Sequence, residues 1–119
     1  MERELARALT WACELAKSEI IGFEWLTHRV DYERFPVSLI VTWVFDSQSN
    51  LNAAVTSQGK LRMHELTLAA FEDIGITVTD IALHVEFDSE ERCASQHGGD
   101  WDARLNSRKP SGGKHGKRH

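Results

Sequence analysis

Cys93 and His97 stand four residues apart in ERCASQH, the spacing that puts two side chains on one face of a helix. A thiolate and an imidazole so placed can fill two positions of a tetrahedral zinc. His84 and Asp100 lie in the same stretch and are of the right type to add to them. The other half of a zinc signature is absent: the chain has no CxxC pair and no second Cys/His pair at matched spacing. Asp88, Glu90 and Glu91 suggest paired carboxylates for acid–base work or magnesium, but neighbouring residues point in different directions. Asp88-Ser89-Glu90-Glu91 also has the form of a helix start, where acids are stabilised by the positive end of the helix dipole. Glycines 98 and 99 follow a helix, whereas a phosphate-cradling loop precedes one. GxSxG, P-loop, GxGxxG and HExxH patterns do not occur. These residues therefore predict no catalytic group, no metal and no cofactor. If a ligand binds, the expected contacts are His84, Cys93, His97, Asp100 and Trp101.

The elements that must position this set follow from hydrophobic periodicity. Leu5, Leu9, Ala12, Ala16 and Ile20 recur at helical spacing, widened by Trp11 and Leu15, and predict a helix over Glu2–Ile20 with Gly22 as its stop. Phe23–Tyr32 has the composition of a strand, but neither parity is cleanly apolar, so an edge or bent strand is expected. Arg34-Phe35-Pro36 breaks it. Val37–Phe45 is the clearest strand, with Val37, Leu39, Val41, Trp43 and Phe45 on one face. Its half-apolar second face predicts a central place in the sheet. A short helix over Leu51–Ser57, capped by Asn50, and a longer one over Lys60–Ile74 come next, the latter closed by Gly75. Asp80–Phe87 alternates as a half-buried strand, which places His84 on the face away from the core. That face is expected to be shared with His28, Thr42 and Glu86. A short helix runs from the acidic start to Gly98-Gly99. Asp100–Leu105 adds a last turn, with Trp101 and Leu105 four apart and able to pack back on the core.

The order α-β-β-α-β-α predicts an α+β domain over residues 1–105. It has a small, mainly antiparallel three-stranded sheet, two long helices on one face and a short C-terminal helix. The second sheet face needs a cover, either the C-terminal helix or a second copy of the chain. Residues 106–119 hold five of the fourteen basic side chains and no acid, leaving nine bases against eighteen acids in the rest. An acidic body repels phosphate backbones, so nucleic acid is expected only through that basic tail, 106–119. The tail is rich in Gly, Ser and charge and is expected to be disordered. No apolar run approaches the roughly 18 residues that span a bilayer, and MERELAR has no apolar core for a signal peptide. Two widely separated cysteines without framework spacing fit a reducing cytoplasm.

One resemblance attaches to particular residues. Trp25-Leu26-Thr27-His28, Val44-Phe45-Asp46, His84 through Glu91, Cys93, His97, Gly99-Asp100-Trp101 and Arg104-Leu105 together resemble a family of small gamma-proteobacterial proteins. Some members of that family are labelled Fis-family transcriptional regulators. The resemblance spans most of 1–105 and implies no established activity and no catalytic residue. A Fis-type helix-turn-helix inserts a basic second helix into the major groove. Here the C-terminal helix begins with three acids in four residues and two strands occupy the middle of the chain, so DNA reading of that kind is not expected. The expected function is that of a non-enzymatic cytoplasmic domain that binds a protein partner or another copy of itself. The alternatives are a small-molecule or metal-binding protein using the five residues above, or nucleic-acid binding by the tail.

Overall fold

A helix, α1 (Glu2–Glu19), leads into a strand, β1 (Phe23–Arg29), and an antiparallel partner, β2 (Ile40–Phe45). Two helices follow, α2 (Gln48–Val55) and α3 (Gln58–Asp73), then a third strand, β3 (Val85–Ser89). The helices α4 (Glu90–His97) and α5 (Trp101–Asn106) come next. This computed structural model describes residues 1–107 and the backbone of a two-residue strand, β4 (Lys117–Arg118), beside Thr27 and His28 of β1. The expected disorder of 106–119 otherwise falls outside the described residues, except that Asn106 closes α5 and Ser107 caps it.

The fold is α+β, in the expected element order. Its three main strands run β3-β2-β1, with β2 central as its apolar second face predicts. The sheet is mixed. β1 and β2 are antiparallel, but α2 and α3 carry the chain back across before β3, so β3 enters parallel to β2.

Leu26 on β1, Val41, Trp43 and Phe45 on β2, and Val85 and Phe87 on β3 share the face covered by α1 and α3. α1 contributes Leu5, Leu9, Ala12 and Ala16; α3 contributes Met63, Leu66, Ala70 and Phe71. Each fully buried large side chain here contributes roughly 1.5–3 kcal/mol. The Trp43 indole N–H donates to Thr67 Oγ1 at 3.1 Å, and Thr67 Oγ1 donates to the Met63 carbonyl, so these two buried polar side chains are paired.

Local chemistry moves several boundaries. The mixed parity of β1 is a bulge: Phe23 faces Phe45 but Trp25 faces Val44, so the apolar side switches between them. β1 ends at Arg29. Asp31 then accepts from the Glu33 N–H and opens a 3₁₀ turn over Tyr32–Arg34, so the strand stops three residues short of the expected Tyr32. Val37 lies outside β2 and is exposed. Ser47, not Asn50, caps α2, because its hydroxyl accepts from the Asn50 N–H.

The largest correction concerns 80–84. Asp80 accepts from the Ala82 N–H and its carbonyl from the Leu83 N–H, making a 3₁₀ turn over Ile81–His84. The strand begins only at Val85. His84 therefore does not lie on the outer face with His28. Its Nδ1 donates to the Leu39 carbonyl at 2.7 Å and its ring meets Phe71 edge-on, in the helix-covered core. His28 also faces that side: it pairs with Val41 and its Nε2 donates to Glu2 Oε1 of α1 at 2.6 Å. Thr42 and Glu86 do meet on the outer face, with Arg29 as their partner instead of a histidine.

Candidate functional site

The outer face of the sheet carries Trp25, Thr27 and Arg29 from β1, Thr42 and Val44 from β2, and Glu86 and Asp88 from β3. α4 and α5 cover its upper half, settling the question of its cover in favour of the C-terminal helices. Val44, Cys93 and Trp101 form a second small core there, flanked by Trp25 and Leu105. Ser89 caps α4 by accepting from the Arg92 N–H. Gly98, at φ +59, takes the left-handed turn that ends it. Asp100 then accepts from the Ala103 N–H and starts α5, so Trp101 and Arg104 turn back onto the sheet.

Two polar devices fasten this cover. Asp88 and Arg104 make a two-pronged ion pair, Nε to Oδ2 at 2.6 Å and Nη2 to Oδ1 at 2.9 Å. Their side chains are 1% and 5% exposed, so the pair is desolvated. Arg104 also donates to Gln96 Oε1 and His97 Nδ1, which binds α4 into the same knot. The hydrogen bonds it donates to Asp88 hold the guanidinium pKa above its usual range. The second device is Glu90. One carboxylate oxygen accepts from the Trp25 indole and the other from the Trp101 indole, both at 2.7 Å. The two rings meet edge-to-face, with centroids 4.9 Å apart. Below the cover, Arg29 and Glu86 pair through two contacts of 2.7 and 3.3 Å, and Thr42 donates to Glu86.

Of the five expected ligand contacts, Cys93 and Trp101 come together in the small core under α4 and α5. His84 is in the helix-covered core, on the other side of the sheet from Cys93 and Trp101. Cys93 is fully buried, and desolvation pushes its thiol pKa up, away from the thiolate that metal binding or nucleophilic attack requires. Trp101 is spent on Glu90 and Trp25. His97 accepts from Arg104 through Nδ1, and Asp100 is a helix cap. Among the described residues no three His, Cys, Asp or Glu side chains come together as a metal would require. The acids divide their work: Asp88 is a buried strand residue and not the helix cap, Glu90 clamps two indoles, and Glu91 accepts from the Gln48 N–H at the start of α2.

The residues that sequence reasoning missed are Arg104, the partner of Asp88, and Trp25, the partner of Glu90. The available signal was the strand parity that sets Asp88 opposite Phe87, together with the Trp101/Arg104 spacing on one helical turn.

Function must then be sought on surfaces the fold does not use. Three of the four tryptophans have their indole N–H committed inside: Trp25, Trp43 and Trp101. Trp11 has no hydrogen-bond partner among the described residues and is 48% exposed. It stands on α1 at the edge of a groove of about 340 Å³ between α1 and α3, lined also by Arg7, Ala8, Ala69 and Asp73. The two alanines keep the groove open by their size. No protein-family model, curated protein or solved structure matches the chain.

Proposed function

We propose that this chain is a non-enzymatic domain of a reducing compartment, the cytoplasm, that works by binding protein through the α1/α3 face. The observation that carries the reading is Trp11, a large aromatic half in solvent at an alanine-floored groove. Tryptophan is enriched among the residues that dominate binding energy at protein interfaces, where its body fills a pocket and its N–H finds a partner. The outer sheet face supports the same reading by default of chemistry, since its acids, arginines and indoles are spent on one another. The two free cysteines fit a reducing compartment.

The test is site-specific cross-linking. A photoreactive phenylalanine analogue replaces Trp11 in one variant and exposed Arg92 on α4 in another. A discrete adduct is expected from position 11 and none from position 92. Excess wild-type chain should compete the adduct away; excess Trp11→Ala chain should not. Absence of an adduct from position 11, or equal competition by both chains, overturns the reading.

A further inference from the structure

α1 and α3 lie side by side and run antiparallel. At one end Arg62 of α3 reaches Glu19 of α1, with its Nε 2.7 Å and its Nη2 3.0 Å from the carboxylate oxygens. At the other end the pattern recurs with the signs exchanged between the helices: Arg7 on α1 and Asp73 on α3 line the two walls of the Trp11 groove. The first pair is closed. The second is open, because neither Arg7 nor Asp73 makes an ion pair among the described residues. Between them lie Ala8, Ala69 and the exposed Trp11, which stands one helical turn beyond Arg7.

This arrangement is its own complement. A cation and an anion on opposite walls of an apolar centre match an identical patch rotated by two-fold symmetry, so that each positive wall meets a negative one. From the open Arg7/Asp73 pair around the exposed Trp11 groove, we propose that the partner of this face is a second copy of the chain. Arg7 of each copy pairs with Asp73 of the other, and the two Trp11 rings fill the grooves about the axis. The proposal rests on the protein-binding reading above and names its occupant. The basic tail is a poorer occupant of the same groove, since 106–119 has no large apolar side chain to bury.

The charge pattern supplies a test that a chance contact cannot pass. Sedimentation and light scattering on the full chain, from micromolar to millimolar concentration, should give a concentration-dependent dimer. Trp11→Ala should weaken it at least about tenfold. Arg7→Asp should be monomeric, because both copies then present acids on both walls, and Asp73→Arg should be monomeric for the converse reason. An equimolar mixture of these two variants should dimerise again, since an all-acidic patch then meets an all-basic one. The double variant Arg7→Asp, Asp73→Arg should dimerise by itself. Arg92→Asp on α4 is the control and should leave the dimer unchanged. Arg7, Trp11 and Asp73 are all exposed, and circular dichroism of each variant verifies its fold. A wild-type chain that stays monomeric throughout overturns the proposal, as does a mixture of the two charge variants that stays monomeric. In either case, competable cross-linking from position 11 to a different protein leaves the protein-binding reading standing.

Discussion

Replacing Arg104 with methionine removes the guanidinium but keeps most of its apolar stem, and takes the two-pronged partner from an Asp88 carboxylate that is 1% exposed. A buried charge stripped of its partner costs about 3–5 kcal/mol, much more than an exposed ion pair is worth. Domains of this size are stable by roughly 5–15 kcal/mol in total, so about a fifth or more of the stability is at stake. With a urea slope of about 1–3 kcal/mol per molar, the unfolding midpoint should fall by at least about 1 M. The melting temperature should fall by more than about 10 °C. The companion variant, Asp88→Leu with Arg104→Met, separates the cost of losing the guanidinium from the worth of the pair. The introduced leucine would sit beside Val44 on the same sheet face, in a setting already apolar, so the pair of substitutions should recover most of the loss. Some cost remains, because the Ser89 N–H loses the acceptor it has in Asp88 Oδ1, worth about 1 kcal/mol. Urea titrations followed by circular dichroism measure all three chains. A loss below about 1 kcal/mol in Arg104→Met, or a double variant no more stable than the single one, would refute a desolvated pair at this position.

Glu90→Gln should destabilise by about 1–3 kcal/mol, since an amide offers one oxygen where two indole N–H groups need an acceptor; a urea midpoint equal to wild type would count against the clamp. Burial of His28 lowers its pKa despite the opposing pull of Glu2, so the unfolded chain takes up a proton that the folded chain refuses. Stability should therefore decline as pH falls below the ordinary imidazole value of 6.5, continuing down to the depressed folded value, and His28→Gln should flatten part of that decline. A urea midpoint that stays level from neutral pH to below 6.5 in the wild type would contradict this. Burial raises both thiols, but Cys93 is sealed whereas Cys13 is half-buried. An aromatic disulfide reagent should thus titrate one thiol slowly in the native protein and the second only on unfolding, and Cys93→Ala should remove the late one.

Where burial and period agree, the sequence shows the fold directly. Val41, Trp43 and Phe45 alternate because one side of a central strand is sealed, and Leu5, Leu9, Ala12 and Ala16 repeat because one stripe of α1 is. The parity of β1 is harder, because the bulge at Phe23–Trp25 exchanges the two faces and only the partner strand reveals it. Ile81 and Leu83 alternate like a strand although Asp80 folds them into a turn; the pattern misleads because Leu83 is exposed, where a strand residue of its parity would be inside. The acids at 88–91 are legible as a helix start through Ser89, but what Asp88 and Glu90 do depends on side chains elsewhere. Arg104 lies sixteen residues on, and Trp25 sixty-five residues back. No local rule carries such a pairing. The exposed Trp11 is equally silent in sequence, since it falls within the apolar stripe of α1 and is distinguished only by the small Ala69 of α3 opposite.

The parallel entry of β3 has a consequence for the chain as it is made. Synthesis proceeds from the N-terminus, and β1 and β2 are neighbours in sequence that can pair at once. The third strand and its covering helices arrive only after α2 and α3 have been added. During that interval one edge of β2 offers unpaired N–H and C=O groups, and Val44 and Trp25 have no cover. Unpaired edges and open apolar faces are where nascent chains stick to one another. The last twenty or so residues of the domain thus complete more than its packing: until they arrive, the molecule is half a sheet with a sticky side, and any chain stopped short of β3 remains in that state.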